Sequence, residues 1–254
     1  MNNDKVVERE RYDQRAKAFI SEFPGIHISL LGSAGVSLPI RTPYILYESL
    51  LTSELSQFSL VLELGAGTGC FTGVLLRKGS SVCATDIAPT ALGVLEARYQ
   101  GLGRLITSVA DMECLPFENE SFDVVTSAGS LSYGDNILVM NEIFRVLKPG
   151  GIFICVDSLN HNPIYRFNRW IHFLRGQRTK STLIRMPTLA LIEHYRARFG
   201  EADIHFFGAF TWASQVLVFF LGTARAARIL DWLDEFVHVR KSAFKFVLKV
   251  RKVN

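Results

Sequence analysis

The stretch "VLELGAGTGCF" (61–71) concentrates residue types that nucleotide chemistry uses. Gly65, Gly67 and Gly69 stand at alternate positions behind an apolar run and a single acid, Glu63. Glycines after a strand let the backbone approach a ligand, because no Cβ stands in the way. A dinucleotide fingerprint needs GxGxxG, whose third glycine would fall at position 70. Cys70 stands there, so the pattern is ExGxGxG and NAD is not the expected ligand. Two further acids follow, Asp86 in "CATDIAP" and Asp111 in "VADMECLPF". A carboxylate accepts two hydrogen bonds at once, which suits a diol. Taken singly, the glycines also suit a plain turn and Asp86 a helix cap.

Such residues work only if a scaffold gathers the strand ends. Buried-strand patterns occur at 60–64, 81–88, 105–112, 122–130 and 152–159. Helical patterns lie between them, at 68–79, from Pro89 to 100, and at 136–147 before "KPGG". Strands alternating with helices predict βαβ units, a parallel sheet and right-handed crossovers. Residues 1–59 read as mostly helical, with a loop around "LGSAGVSLPIRTPY". Residues 160–186 are basic and aromatic without a clean period, and 187–200 read as an amphipathic helix. The segment 242–253 alternates, with Phe244, Phe246, Leu248 and Val250 opposite Lys245, Lys249 and Arg251. That pattern predicts an antiparallel or edge strand with one wet face.

Composition narrows the class. With 254 residues, 48% hydrophobic and 20% charged, the chain suits one large globular domain spanning 1–254. Four cysteines stand far apart without a CxxC pair, which argues against a disulfide framework or a zinc knuckle and for a reducing cytoplasm. No His/Asp/Glu cluster has metal spacing, so no metal is expected. The charged start, "MNNDKVVERERYDQ", predicts no signal peptide. The net charge of +4 conceals an asymmetry: residues 161–198 carry eight Lys or Arg against Glu193 alone. A solvated helical face explains this, as does an anion-recognising surface; nucleic acid is the less expected partner. Residues 206–224 hold no charge, yet Thr211, Ser214, Gln215 and a strand-like beginning argue against a membrane span. The helix expected at 212–222 is apolar nearly all round, hence buried, packed on a partner or set into a membrane surface.

Together the motifs resemble the class I S-adenosylmethionine-dependent methyltransferases of the small-molecule, UbiE-like kind. The likeness rests on ExGxGxG, "CATDIAP", "VADMECLPFENESFDVV" and "NEIFRVLKPGGIF", within residues 57–158. Four features in order at workable spacing outweigh the single alternatives. The resemblance implies an α/β, Rossmann-like seven-stranded sheet, order 3-2-1-4-5-7-6, with strand 7 antiparallel and helices on both faces. It also implies an N-terminal helical lid (1–56), a cofactor core (57–158), and a substrate-side remainder (159–254) with helical insertions after strand 5 and between the last two strands. The implied cofactor is S-adenosyl-L-methionine. Glu63, Gly65, Gly67 and Gly69 would approach its amino-acid part, and Asp86 with Ile87 its ribose. Asp111 would meet the adenine amino group and the Met112 N–H a ring nitrogen. Ser127 lies at the end of the fourth strand, and Tyr12 in "RYDQRA" would cover the cofactor.

A sulfonium is already an excellent leaving group. The protein must align the acceptor, exclude water, and remove a proton where the acceptor demands it. In this fold the acceptor sits over the ends of strands four and five. The candidates there are Ser130, Tyr133, Asp157 and His161, with Arg41 from the lid. His161 is the expected base, although a histidine packing in a loop is equally compatible. Tyr133 is the second catalytic candidate, or else a stacking residue. Arg41, Ser130, Arg166 and Arg169 are expected to hold an anionic acceptor. The first expectation is therefore O-methylation of a sugar, glycan-type or small acidic acceptor, such as a nucleotide sugar or a lipid-linked glycan. The alternatives are C-methylation of a quinone-like or lipid substrate, and a non-catalytic cofactor-binding subunit. The expected location is cytoplasmic, with 212–222 as a peripheral membrane or homodimer contact.

Overall fold

The run "LVLEL" forms β1 (Leu60–Leu64), whose Val61, Leu62 and Leu64 are fully buried. A strand apolar on both faces belongs inside a covered parallel sheet. The computed structural model describes residues 3–22, 32–57, 59–78, 80–102, 104–176, 179–236 and 240–253. Around β1 lie β2 (Ser81–Asp86), β3 (Arg104–Val109), β4 (Phe122–Ala128), β5 (Leu147–Ser158), β6 (Gly200–Phe207) and β7 (Lys245–Lys252). They form one sheet in the order β3-β2-β1-β4-β5-β7-β6. β1 to β5 run parallel, and β7 runs antiparallel to both β5 and β6. This is the order that the resemblance implied.

Helices cover both faces. On one side α2 (Thr42–Glu54) and α3 (Thr72–Leu76) bury Tyr47, Leu51, Val74 and Leu75 against Val61, Val124 and Ile154. On the other, α5 (Asn136–Val146) and α8 (Leu189–Phe199) bury Ile143, Val146, Tyr195 and Phe199 against Leu62, Val125 and Phe153. Asp135 caps α5 by accepting from the N–H groups of Ile137 and Leu138 at 3.0 and 3.2 Å. Beside β2, α4 (Pro89–Tyr99) places Leu92 and Leu95 against Ala84. The N-terminal α1 (Asn3–Glu22) buries Ala16 against Ala88 and Ala91. Residues 23–31 of the expected lid lie outside the described residues.

Several elements differ from the sequence expectation. The helix expected from residue 68 starts only at Thr72, because Gly65, Gly67 and Gly69 hold the turn with φ of +63°, +55° and +85°. The basic stretch 160–186 is helical: α6 (Pro163–Leu174), with Asn162 as cap, and α7 (Lys180–Ile184), with Thr179 as cap. Arg178, one of its cations, lies outside the described residues. β7 is antiparallel, the first of the two alternatives its alternation predicted, and β6 rather than β7 occupies the edge. The Lys252 ammonium donates to the Leu147 carbonyl at 2.7 Å, and Lys249 pairs with Glu54 at 2.8 Å, so neither needs a wet face. The expected apolar helix is a 3-10 turn (Thr211–Ala213) followed by α9 (Ser214–Leu221) and then α10 (Thr223–Phe236). None of the α9 residues is buried. Among the described residues no helix is long and apolar enough to cross a membrane.

Tyr195 stacks on Phe153 at 5.5 Å between ring centres and is fully buried, and its hydroxyl meets no partner among the described residues. A buried, unsatisfied hydroxyl is a cost that phenylalanine avoids. Tyr195→Phe should therefore stabilise the fold by about 1 kcal/mol, raising Tm by about 2–4 °C in a chain of this size. A lower melting temperature by calorimetry would show the hydroxyl to be satisfied.

Candidate cofactor site

A cleft opens where β1, β2 and β4 end. Gly65 leaves β1 so close to the next turn that a Cβ there would lie 2.4 Å from the Ser130 Cβ. Only glycine lets these two turns meet. Gly67 borders open space, for a Cβ there would meet nothing within 4 Å. Its N–H donates to Asp86 Oδ2 at 2.8 Å, and Asp86 Oδ1 accepts from the Ala88 N–H at 2.9 Å. Burial pushes the Asp86 carboxyl up, and these backbone donors oppose the shift. Each oxygen keeps acceptor capacity, which a diol can use.

The floor and walls come from Gly65 and Gly67, Thr85 to Ile87, Ala110 to Met112, and Ala128 to Ser130. The roof is α1 with Tyr133. Lys5 pairs with Asp111, and its ammonium lies 2.6 Å from Glu113. Glu8 is buried and accepts from the hydroxyls of Thr179 at 2.7 Å and Thr182 at 2.9 Å, which ties α1 to α7. Tyr12 meets Tyr133 edge-on at 5.3 Å, and burial holds the Tyr12 phenol far above its usual range. Asp13 accepts from the Thr90 N–H at 3.0 Å, one of the unpaired donors at the start of α4.

Of the residues singled out from sequence, Tyr12, Gly65, Gly67, Asp86, Ile87, Asp111, Met112, Ser130 and Tyr133 line this cleft. The others do not. Glu63 is buried, accepting from the Thr72 hydroxyl at 2.6 Å; burial pushes its carboxyl up to about 7, Thr72 opposes the shift and Asp86 adds to it. Gly69 packs the turn on α4, since a Cβ would lie 2.8 Å from Tyr99 and 2.9 Å from Leu95. Ser127 is buried and shares a hydrogen bond with Ser130 at 2.6 Å. Asp157 holds the Leu131 N–H at 3.0 Å and the Ser158 N–H at 2.6 Å; burial raises its pKa against the charges of Lys245 and Arg169.

The expected base and anion-holding arginines are also engaged elsewhere. His161 Nε2 accepts from the Leu189 N–H at 3.0 Å, fixing the start of α8. Arg41 donates to the carbonyls of Val36 at 2.7 Å and Ala34 at 3.0 Å, closing its own loop. Arg169 is buried, donating to the Leu159 carbonyl at 2.9 Å, and Arg166 is exposed on α6. In each buried case the backbone around a loop needed a partner, and the nearest polar side chain supplied it. The sequence reading passed over Lys5 and Glu8. A charged helix looks solvated, and the one available signal was their position one and two turns ahead of Tyr12 on the same helix.

A sheet of this order, with a glycine turn after β1 and a buried acid ending β2, is the Rossmann-like methyltransferase fold that the resemblance implied. Residues 62–155 match the family described as a methyltransferase domain, so this central stretch is similar to methyltransferases. The chain is 38% identical over 112 residues to a demethylmenaquinone methyltransferase of Clavibacter sepedonicus, covering 42% of this chain and 44% of that one. It is 34% identical over 120 residues to a sterol 4-C-methyltransferase of Caenorhabditis elegans, covering 46% and 36%. The matched stretches thus span less than half of these relatives. Among solved structures it resembles geranyl diphosphate C-methyltransferase from Streptomyces coelicolor A3(2). The TM-score is 0.59 and the identity 16%, covering 82% of this chain and 79% of that one. That likeness is one of fold.

Asp86→Ala should weaken binding of S-adenosylhomocysteine by about 2–3 kcal/mol, because a buried charged acceptor is lost. Unchanged affinity by calorimetry would remove Asp86 from the site. Glu63 gives a pH signature. Unfolded, it ionises near 4.5; folded, near 7. Between those values the folded state keeps a proton that the unfolded state has released, so this group's contribution to stability falls as pH rises and is constant above 7. The full loss is about 3 kcal/mol. Glu63→Gln, which can still accept from Thr72, should gain on the wild type across that window in urea titrations. A difference that does not vary with pH would refute the assignment.

Proposed function

We propose that this protein methylates a carbon of an apolar ring acceptor, a quinol-like or sterol-like lipid. The observation that carries the reading is the make-up of the cleft beyond Asp86 and Asp111. Tyr12 and Tyr133 meet edge to face and share the lining with the small residues Ala128, Gly129 and Ser130. Such a surface suits a flat ring. The residues expected to hold an anionic sugar, Arg41, Arg166 and Arg169, do not line it, nor does His161. The likeness of the cofactor core to methyltransferases named for a quinone and for sterol carbon 4 supports the same choice.

When bound, S-adenosylmethionine supplies an electrophilic methyl group on a positively charged sulfur. The chain's own residues do the rest. Gly65 and Gly67 admit the ligand to the backbone, and Asp86 and Asp111 offer acceptors. Helix α1 shields the cleft from water. Tyr12, with its raised pKa, stays protonated and acts as a donor rather than as a base. The Ser130 hydroxyl is fixed by Ser127 and by the Leu64 carbonyl at 3.1 Å. To Tyr133, which lines the cleft, we assign the holding of the acceptor's ring oxygen. A phenol ionises near pH 10, so its ring carbon needs far less help from a base than a sugar hydroxyl does.

The test is methyl transfer from labelled S-adenosylmethionine to a short-chain demethylated naphthoquinol or a sterol, against a nucleotide sugar, in detergent. A carbon-bound methyl on the lipid is expected, located by mass spectrometry. Tyr133→Phe should lower kcat about tenfold to a hundredfold while leaving S-adenosylhomocysteine affinity intact. Methylation of the sugar alone would overturn the reading.

A further inference from the structure

Helix α10 buries Ala226, Ala227 and Leu230, and two of its acids are tied to neighbouring elements: Asp231 accepts from the Thr42 hydroxyl at 2.5 Å, and Asp234 from the N–H groups of Gly208 and Ala209 at 2.5 and 3.1 Å. Its cations Arg225 and Arg228 face solvent, one turn apart, beside Leu221, Ile229 and Trp232 in an open groove. Ahead of it, Phe219 and Phe220 on α9 are 83% and 74% exposed. All three tryptophans of the chain, Trp170, Trp212 and Trp232, are about half exposed, although tryptophan is normally among the better buried residues. An apolar face of this extent marks a docking surface.

Topology puts the face beside the cleft. β6 runs parallel to β5, both being antiparallel to β7, so the chain leaves β6 toward α9 on the rim where β1, β2 and β4 end. The Tyr165 hydroxyl pins α6 to this junction, donating to the Gly208 carbonyl at 2.6 Å and accepting from the Trp212 N–H at 2.9 Å. On α6, Tyr165 and Arg169 are buried, while Phe167, Trp170 and Leu174 are exposed.

Two occupants could cover such a face. A second copy meeting it across a two-fold axis would bring Arg225 and Arg228 against their own counterparts, a like-charge contact. An anionic bilayer satisfies both components at once, since acyl chains accept the phenylalanines, the interface accepts tryptophan, and phosphate accepts guanidinium. We infer that α9 and α10 dock on an anionic membrane surface, with Arg225 and Arg228 on lipid phosphate and Phe219 and Phe220 among the acyl chains. The further point, that a lipid acceptor passes from this surface to the cleft, rests on the proposed function.

The experiment is co-sedimentation of the full chain with phosphatidylcholine vesicles with and without phosphatidylglycerol, alongside tryptophan fluorescence. The protein should pellet with the anionic vesicles, less so as salt rises, and its emission should shift to the blue. Arg225→Gln with Arg228→Gln should weaken binding about twentyfold, each cation being worth roughly fivefold. Phe219→Ser with Phe220→Ser should abolish the blue shift. Both double variants should keep their S-adenosylhomocysteine affinity; if either fails to fold, the wild-type fluorescence titration decides. No pelleting and no shift with anionic vesicles overturns the inference, as does a dimer in light scattering that buries the tryptophans. Methylation of a detergent-dispersed quinol without vesicle binding would sink the docking alone. Vesicle binding with methylation of sugar alone would sink the proposed acceptor and spare the docking.

Discussion

The cleft depends on a carboxylate, Asp86, buried at the end of β2 and held only by backbone N–H groups. Its two oxygens fix Gly67 and Ala88, and so set the distance between the glycine turn and α4. Glu63 lies beneath the same turn with Thr72 as its hydrogen-bond donor. Burial raises the cost of ionising Glu63, and the nearby charge of Asp86 adds to it.

The roof is made differently from the floor. The sheet is held by large apolar clusters on both faces, whereas α1 packs Ala16 and Tyr12 on a small cluster and adds polar ties. Lys5 reaches Asp111 and Glu113, Glu8 reaches α7, and Asp13 reaches the start of α4. Lys5 and Glu8 are themselves buried, so each of these pairs is costly to break and fixes α1 over the cleft.

How much of this was legible depended on whether a residue answers to its neighbours or to distant chain. β1 was read to the residue, because an apolar run bounded by a glycine turn has one good solution. The stripe Val139, Met140, Ile143, Val146 likewise declared α5. α6 was missed because its apolar stripe looks outward and its inward positions are a tyrosine and an arginine, which blurs the expected period. β7 alternates like a half-wet strand, yet its lysines end on the Ser158 hydroxyl, on Glu54 and on the Leu147 carbonyl. His161 and Arg41 carry the right chemistry by type, but unpaired loop backbone claimed them. The pairing of Lys5 with Asp111 joins residues more than a hundred positions apart, and no local pattern announces it.

The charge asymmetry read from the sequence takes on a sharper meaning in three dimensions. A net charge of +4 suggests a mild surface field. However, Asp86, Asp157 and Glu63 are buried, and Asp231 and Asp234 hold Thr42 and the turn after β6. Arg225 and Arg228 stay exposed on α10 while Asp231 and Asp234 are engaged in these hydrogen bonds. The same arrangement leaves Ile229, Trp232 and Phe236 on the outside of α10. Exposed arginines and exposed aromatics on this helix therefore have one cause: two of its acids are used to build the junction between β6 and the N-terminal segment.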